Sequence, residues 1–273
     1  MEEIISIVVP VYKAEAYIAH TITMVRQQTY RNWELILVDD CSPDGSVEQI
    51  QKALSDCSRS VQETTAEDDT SLEIYQWKEG QRAVLLRKGR NEGAAAARNT
   101  GRKAAKGRYL AYLDADDIWL PEKLQKELAF LKERQAEFVF TAYEFGDEQA
   151  NPTGKVVQVP EILTYRKALS RTIIFTTTVL FDREKIPEEL LSMPLVESED
   201  TATWWQILRA GYQAHGLNEV LAIYRRPAQS LSSNKLKAMK RIWNLYRRQE
   251  KLSVISSAYY FIFWAYRATV RRL

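Results

Sequence analysis

Trp33-Glu34-Leu35-Ile36-Leu37-Val38-Asp39-Asp40 and Tyr109-Leu110-Ala111-Tyr112-Leu113-Asp114-Ala115-Asp116-Asp117 are built alike: a strand-like apolar run ended by aspartates. Carboxylates at the C-terminal ends of buried parallel strands stand at the rim where open α/β sheets bind ligands. A lone Asp there is explained by a helix N-cap. Two clusters, one an Asp-x-Asp able to turn two carboxylates toward one hard cation, exceed that explanation. The pattern implies an enzyme that handles a phosphorylated nucleotide through a divalent metal.

Outward from these two runs the same rhythm continues. Ile4–Val9 is a continuous apolar run stopped by Pro10, as in a strand buried on both faces. Helical spacing follows over residues 14–27 (Ala16, Ile18, Ile22, Val25), and Ser46 is placed to cap a helix over 47–54. Val84–Leu86 predicts a third strand with a helix over 93–105, and Pro121 suits the first turn of the helix after the fourth strand. This alternation predicts an α/β fold with a mostly parallel sheet and helices on both faces. Residues 56–80 break the pattern; with the acidic run Glu63-Thr64-Thr65-Ala66-Glu67-Asp68-Asp69 they read as an exposed insertion. Strands at 138–143, 177–181 and 220–224 and a helix over 202–208 follow, and beyond Ser233 the chain reads as helical.

With 273 residues the chain suits one large domain with an appendage: a body over 1–232 and a helical tail over 233–273. Residues 235–273 hold ten Lys/Arg and one acid, a net charge of +9 that leaves −7 for the rest. A basic, aromatic tail on an acidic body implies an anionic surface as neighbour, a membrane rather than nucleic acid. Cys41 and Cys57 form no disulfide framework or metal spacing, and two distant histidines argue against zinc. The N-terminus starts in a strand, and no apolar run reaches about 18 residues, so a cytoplasmic protein without a membrane span is expected.

The segments Val8-Val9-Pro10-Val11-Tyr12, Gln28-Thr29-Tyr30-Arg31-Asn32-Trp33 with the run to Asp40, Arg98-Asn99-Thr100-Gly101 and Asp114-Ala115-Asp116-Asp117-Ile118-Trp119-Leu120-Pro121 resemble family 2 of the inverting glycosyltransferases, whose fold is GT-A. The resemblance runs in order from about residue 4 to 230, and the tail, with Ser232-Ser233-Asn234-Lys235, looks like that of bacterial enzymes building capsule, teichuronic acid or O-antigen.

The resemblance implies a nucleotide-diphosphate sugar donor, UDP-linked by default, and roles for the matching residues. Pro10, Val11 and Tyr12 border the nucleobase, with the Tyr12 ring beside it, and Asp40 accepts from the base N–H. Asp39 is a partner of the loop 42–46. Arg98, after a Gly-Ala-rich turn, either lies near the diphosphate or pairs with an aspartate. Within Asp114-Ala115-Asp116, Asp116 is the direct ligand of Mg²⁺ or Mn²⁺, while Asp114 meets ribose or a metal-bound water. Asp117 caps the following turn. Glu197-Ser198-Glu199-Asp200 looks like the family's Glu-Asp motif, which makes Asp200 the general base that deprotonates the acceptor.

Two departures qualify the match. Trp204-Trp205-Gln206-Ile207-Leu208-Arg209 lacks the Gln-x-x-Arg-Trp signature of processive synthases, so one sugar per encounter is expected. Tyr224-Arg225-Arg226-Pro227-Ala228 lacks the histidine many relatives carry there, which leaves Arg225 or Arg226 as phosphate cations and His215 as structural. In the tail, Leu236, Met239, Trp243 and Tyr246 recur at helical spacing, and residues 258–265 are apolar nearly all round. Such a helix must be covered by protein or lipid. Its basic flank (Arg267, Arg271, Arg272) favours an interfacial membrane helix at the inner face of the cell membrane, with packing on the body or in a homodimer as the alternative. The acceptor expected from all this is a hydroxyl of a growing lipid-linked glycan. Two rival readings remain: a sugar-phosphate nucleotidyltransferase, against which Pro10-Val11-Tyr12-Lys13-Ala14 offers no glycine-rich phosphate loop, and a silent partner in an assembly complex, against which the four aspartates 40, 114, 116 and 200 stand together.

Overall fold

Strands and helices alternate as β1 (Ile5–Val11), α1 (Ile18–Arg26), β2 (Trp33–Asp39), α2 (Ser46–Ala53), β3 (Ser58–Gln62), β4 (Thr70–Gln76), β5 (Arg82–Lys88), α3 (Ala94–Ala104), β6 (Tyr109–Tyr112), β7 (Ile118–Trp119) and α4 (Lys123–Glu133). They continue as β8 (Phe138–Gly146), β9 (Pro152–Val157), β10 (Ile162–Leu163), α5 (Tyr165–Leu169), β11 (Val179–Asp182), α6 (Glu188–Leu191), α7 (Glu199–Arg209), β12 (Ala214–Arg225), α8 (Lys235–Asn244) and α9 (Val254–Val270). This is a computed structural model, and it describes residues 3–62, 70–77, 81–226 and 235–270. Ser232–Asn234, Arg271 and Arg272, singled out above, lie outside the described residues.

One sheet runs β10-β12-β8-β11-β6-β1-β2-β5-β4-β3, with β7 on β12 and β9 on β8. Its centre, β5-β2-β1-β6, is parallel. Every residue of β2 and of β6 is buried, which is why Leu35–Val38 and the whole of β6 read as apolar runs. Register places Asp39 opposite Val11, and the Leu113 N–H bonds the Val8 carbonyl just beyond β6. The aspartate ends of β2 and β6 therefore flank the end of β1 on one edge of the sheet.

Helix α3 lies against β1 and β2 because of Gly101. A Cβ at that position would come within 2.4 Å of Val8 Cγ1 and 3.0 Å of Val38 Cγ2. Helix α7 is held from two sides by adjacent tryptophans. Trp204 packs on Phe181 of β11 at 5.4 Å between ring centroids, and Phe138 of β8 lies 4.4 Å from Phe181. The N-terminal turn of α7, with Glu199 and Asp200, is thereby fixed to the sheet.

Residues 56–80, expected to be an exposed insertion, instead supply β3 and β4, which extend the sheet antiparallel beyond β5. Glu73, Tyr75 and Trp77 alternate inward, and Trp77 packs edge-to-face on Trp33 at 5.7 Å. One inward position is an acid, bonded by the Tyr75 hydroxyl and paired with Arg59, so the period-two signal is broken in the sequence. The acidic run Glu63–Asp69 lies outside the described residues. The strand expected at 220–224 is the last part of the longer β12, which is bulged between Leu217 and Ala222.

The tail docks on the body. Tyr246, in the turn Leu245–Gln249 after α8, stacks on Trp205 at 5.2 Å with rings 7° apart, and its hydroxyl donates to the Leu169 carbonyl. The buried Glu250 carboxylate accepts from Tyr165 at 2.5 Å and Arg209 at 2.7 Å. From α9, the Trp264 indole N–H donates to Thr172 Oγ1 at 2.9 Å. Covering by protein, the alternative weighed from the sequence, thus holds for one face of α9. Tyr260 and Phe261 lie on that face, whereas Ile255, Tyr259, Ile262 and Tyr266 remain 58–84% exposed on the other. No helix among the described residues is long and apolar enough to cross a membrane.

Candidate active site

The loop after β6 is pinned by the single-turn segment Thr176–Thr178 that precedes β11. Thr177 Oγ1 accepts the Asp114 N–H at 3.2 Å and donates to Asp117 Oδ2 at 2.6 Å, while its carbonyl accepts the Trp119 indole N–H at 2.7 Å. The other Asp117 oxygen accepts the Arg225 N–H at 3.2 Å. Asp117 is 2% exposed, and burial together with Asp114 and Asp116 pushes its carboxyl well above the usual range. It locks the loop from inside rather than capping a turn. Arg225, offered above as a phosphate cation, donates instead to the carbonyls of Asp116 and Glu148, both at 2.7 Å, and covers the Tyr17 ring. These bonds shape the rim.

Asp116 points out of this locked loop, half-buried. Burial first, then Asp114, raises its carboxyl above the ordinary value. Arg98, from the second turn of α3, reaches across the rim and is 5% exposed. Its guanidinium donates to Asp114 Oδ1 at 2.6 Å and to Glu199 Oε1 at 2.7 Å. Of the two roles open from the sequence, the structure shows the ion pair, made twice. The sequence does not mark Glu199 as a site residue, because its significance lies in a contact with a residue 101 positions away. Burial and Asp200 raise the Glu199 carboxyl, against the pull of Arg98. Asp200 is half-buried beside it, with Thr176 Oγ1 at 3.4 Å from Oδ2. The acidic loop after β6 and the first turn of α7 are thus joined into one site.

On the β1–β2 side, Tyr12 stands 47% exposed past the end of β1, with Lys13 Nζ 5.4 Å from its ring centroid. Val11 is buried, and its carbonyl accepts the Asp40 N–H at 2.9 Å; Pro10 is half-buried within β1. Ala115 is buried, and its carbonyl accepts from Thr21 Oγ1 at 2.7 Å. Asp39 accepts the Ser42 N–H at 3.3 Å, the loop partnership expected of it. Asp40 has partners within the chain. It is 2% exposed and already engaged by Lys88 Nζ at 2.7 Å and by the N–H groups of Glu92 and Gly93 at 3.1 and 2.7 Å. In this arrangement Asp40 fixes the Gly93 turn at the head of α3, where φ is +89° and a side chain would be strained.

Among the described residues no group of three or more His, Cys, Asp or Glu is placed to hold a metal ion by itself. The rim nonetheless suits a hard cation. Magnesium is commonly held by one or two carboxylates with substrate phosphates and water completing the shell. Asp116 is the carboxylate that would hold it, half-buried, with burial and then Asp114 raising its proton affinity. His215, on β12 in register with Ile162 and Val139, belongs to the far end of that strand, and burial lowers its pKa.

Residues 6–186 match the model of glycosyl transferase family 2. TuaG of Bacillus subtilis, a glycosyltransferase provisionally named for teichuronic acid biosynthesis, is 37% identical over 271 residues, spanning 99% of this chain and 98% of its own. The chain belongs to glycosyltransferase family 2. The UDP-Glc:alpha-D-GlcNAc-diphosphoundecaprenol beta-1,3-glucosyltransferase WfgD of Escherichia coli is 33% identical over 243 residues, covering 89% of this chain and 85% of its own. Among solved structures, Staphylococcus aureus TarS residues 1–349 with UDP-GlcNAc superposes with a TM-score of 0.66 at 17% identity, over 96% of this chain and 71% of that one. The mannosyltransferase PcManGT of Pyrobaculum calidifontis with GDP-Man and Mn²⁺ gives 0.67 at 17%, over 94% and 69%. The GT-A fold expected from the motifs is the fold of this family 2 chain.

Proposed function

We propose that this glycosyltransferase moves one sugar from a UDP-linked donor to a hydroxyl of a growing, lipid-linked bacterial surface polysaccharide, inverting the anomeric centre. The observation that carries the reading is the Arg98 bridge, which brings the Asp114–Asp116 motif and the Glu199–Asp200 motif to one rim. The acceptor class draws support from the E. coli relatives named for glucosyl transfer to diphosphoundecaprenol-linked GlcNAc.

Inversion requires the acceptor oxygen to attack the anomeric carbon opposite the leaving diphosphate. As that bond forms, the sugar–phosphate bond breaks, its electron pair leaves with the diphosphate, and the hydroxyl proton needs a base. Asp200 takes that role, its carboxylate held beside Thr176. Tyr12 offers an exposed face for the base, a contact of about 1–3 kcal/mol. A divalent cation, magnesium or manganese, held by Asp116 with Asp114 nearby would neutralise charge on the leaving diphosphate. Arg98 keeps Asp114 in place for that role and ties Glu199 away from the acceptor.

The outer face of α9 is assigned to the bilayer, as an interfacial helix at the cytoplasmic side where a lipid-linked acceptor would be met. Ile255 and Ile262 are 84% and 66% exposed there. Flotation on anionic vesicles should weaken when both become serine. A stable dimer dissolved by those changes, with no vesicle binding by the unaltered chain, would make the face an assembly surface instead. The whole reading is tested by screening the protein against a panel of nucleotide sugars for donor hydrolysis with and without EDTA. Turnover of none would sink it, and full activity in EDTA would remove the metal.

A further inference from the structure

Away from the aspartate rim lies a cavity of about 490 Å³ between the end of β9, residues 171–173 and α9. Three of its lining residues, Lys155, Arg171 and Arg267, are cationic, and none is acidic. Arg267 is fixed in place by donating to Ser170 Oγ at 2.5 Å and to the Ser170 carbonyl at 3.1 Å. The Trp264 bond to Thr172 holds the opposite wall. The lip is apolar: Val156 and Tyr266 line the cavity yet are 45% and 69% exposed. Ile262, one turn before Tyr266 on the same face of α9, continues that apolar surface at 66% exposure.

A basic chamber with an apolar lip matches a molecule that has an anionic head and a hydrocarbon chain. Planar guanidinium groups suit phosphate oxygens, and a lysine adds a point charge. One wall of the cavity is close in the chain to the rim. Thr172 precedes Thr176, the residue beside Asp200, by four positions, a span of at most about 14 Å along the chain.

We infer that this cavity binds the phosphate-bearing head of an apolar-chained lipid. That chemistry has two sources, the diphosphate of a lipid-linked acceptor and the headgroups of an anionic bilayer; the first rests on the acceptor class proposed above. Farnesyl diphosphate, titrated calorimetrically against the full chain with saturating UDP filling the donor site, is the direct probe. Binding should persist under UDP and weaken at least tenfold in K155Q/R171Q. Both side chains are exposed, and an unchanged melting temperature would verify the fold. Farnesol and inorganic diphosphate should each bind far more weakly than the joined molecule. Absence of binding under UDP, or binding that the double substitution leaves unaltered, overturns the inference. The sources separate in activity. A raised KM for a lipid-diphosphate acceptor in neutral detergent micelles, with kcat kept, assigns the cavity to the acceptor. An unchanged micellar KM with weaker flotation on phosphatidylglycerol vesicles assigns it to the bilayer. Failure of UDP itself to bind would strike the donor reading and leave the cavity result standing.

Discussion

Replacing Arg98 with methionine keeps most of the side-chain volume and removes the charge that joins the two acidic motifs. The guanidinium is nearly buried, and its partners Asp114 and Glu199 have side chains 25% and 20% exposed. Deleting one member of a buried ion pair costs about 3–5 kcal/mol, because the remaining charges lose their compensation. Partial exposure of both carboxylates places this case near the lower end, at about 3 kcal/mol. In a chain of this size that corresponds to a fall in Tm of roughly 6–12 °C. The loss should depend on pH with a definite sign. The Glu199 carboxyl is already raised by burial and Asp200, and Arg98 is what opposes the rise. Without Arg98 its folded-state pKa climbs further above the unfolded value of about 4.3, so the folded variant binds protons that the unfolded chain does not. Stability of the variant is then lost as pH rises through the folded pKa, and the deficit against the unaltered protein narrows on going from pH 7.5 to 5. Calorimetric melts at both values measure this. A deficit below about 1 kcal/mol, or one that does not change with pH, would refute the claim that Arg98 compensates these acids.

Asp116→Asn should raise the ligand-free Tm, since it removes a half-buried charge next to Asp114, while lowering sugar transfer at least tenfold, about 1.4 kcal/mol or more; a drop in both would mean the residue is structural. Asp200→Asn should leave UDP-sugar affinity near its original value by calorimetry while kcat collapses, and equal loss of both would make Asp200 a helix cap. Mn²⁺ with UDP should stabilise the protein more at pH 7.5 than at pH 5, because protons compete for the raised Asp116 carboxyl; equal stabilisation at the two pH values would place the ion elsewhere. Trp205→Ala should cost about 3–5 kcal/mol and make the tail sensitive to limited proteolysis, because Tyr246 stacks directly on it; an unchanged digestion pattern would contradict the docking.

The parallel centre of the sheet was legible because β1, β2 and β6 are buried on both faces, and the ends of β2 and β6 carry the aspartates in sequence as well as in space. Strand β4 was hidden by Glu73, an acid at an inward position whose partners among the described residues are Tyr75, Arg59 and Gln51. Asp40 shows the limit of a motif. Its neighbours in the chain suggest an open acceptor, while its partners Lys88, Glu92 and Gly93 come from 48 to 53 positions downstream. For α9, composition showed a helix with apolar residues on every side. Which side met protein depended on the placement of Thr172 and Ser170, and no periodicity within the helix encodes that.

The Arg98–Glu199 bond spans 101 residues, and the bond from the Arg225 N–H to Asp117 spans 108. A chain emerging from the ribosome at about 5–20 residues per second therefore displays the acidic loop for several seconds before its clasps are synthesised. During that interval Asp114, Asp116 and Asp117 crowd a strand end with Arg98 as their cation and nothing yet holding the loop shut. The nascent N-terminal half can close its parallel core, but donor chemistry must wait until β12 is laid beside β8. Catalytic competence in this enzyme is thus a late event of biosynthesis, and a truncated translation product ending before β12 would be folded at its centre and inert at its rim.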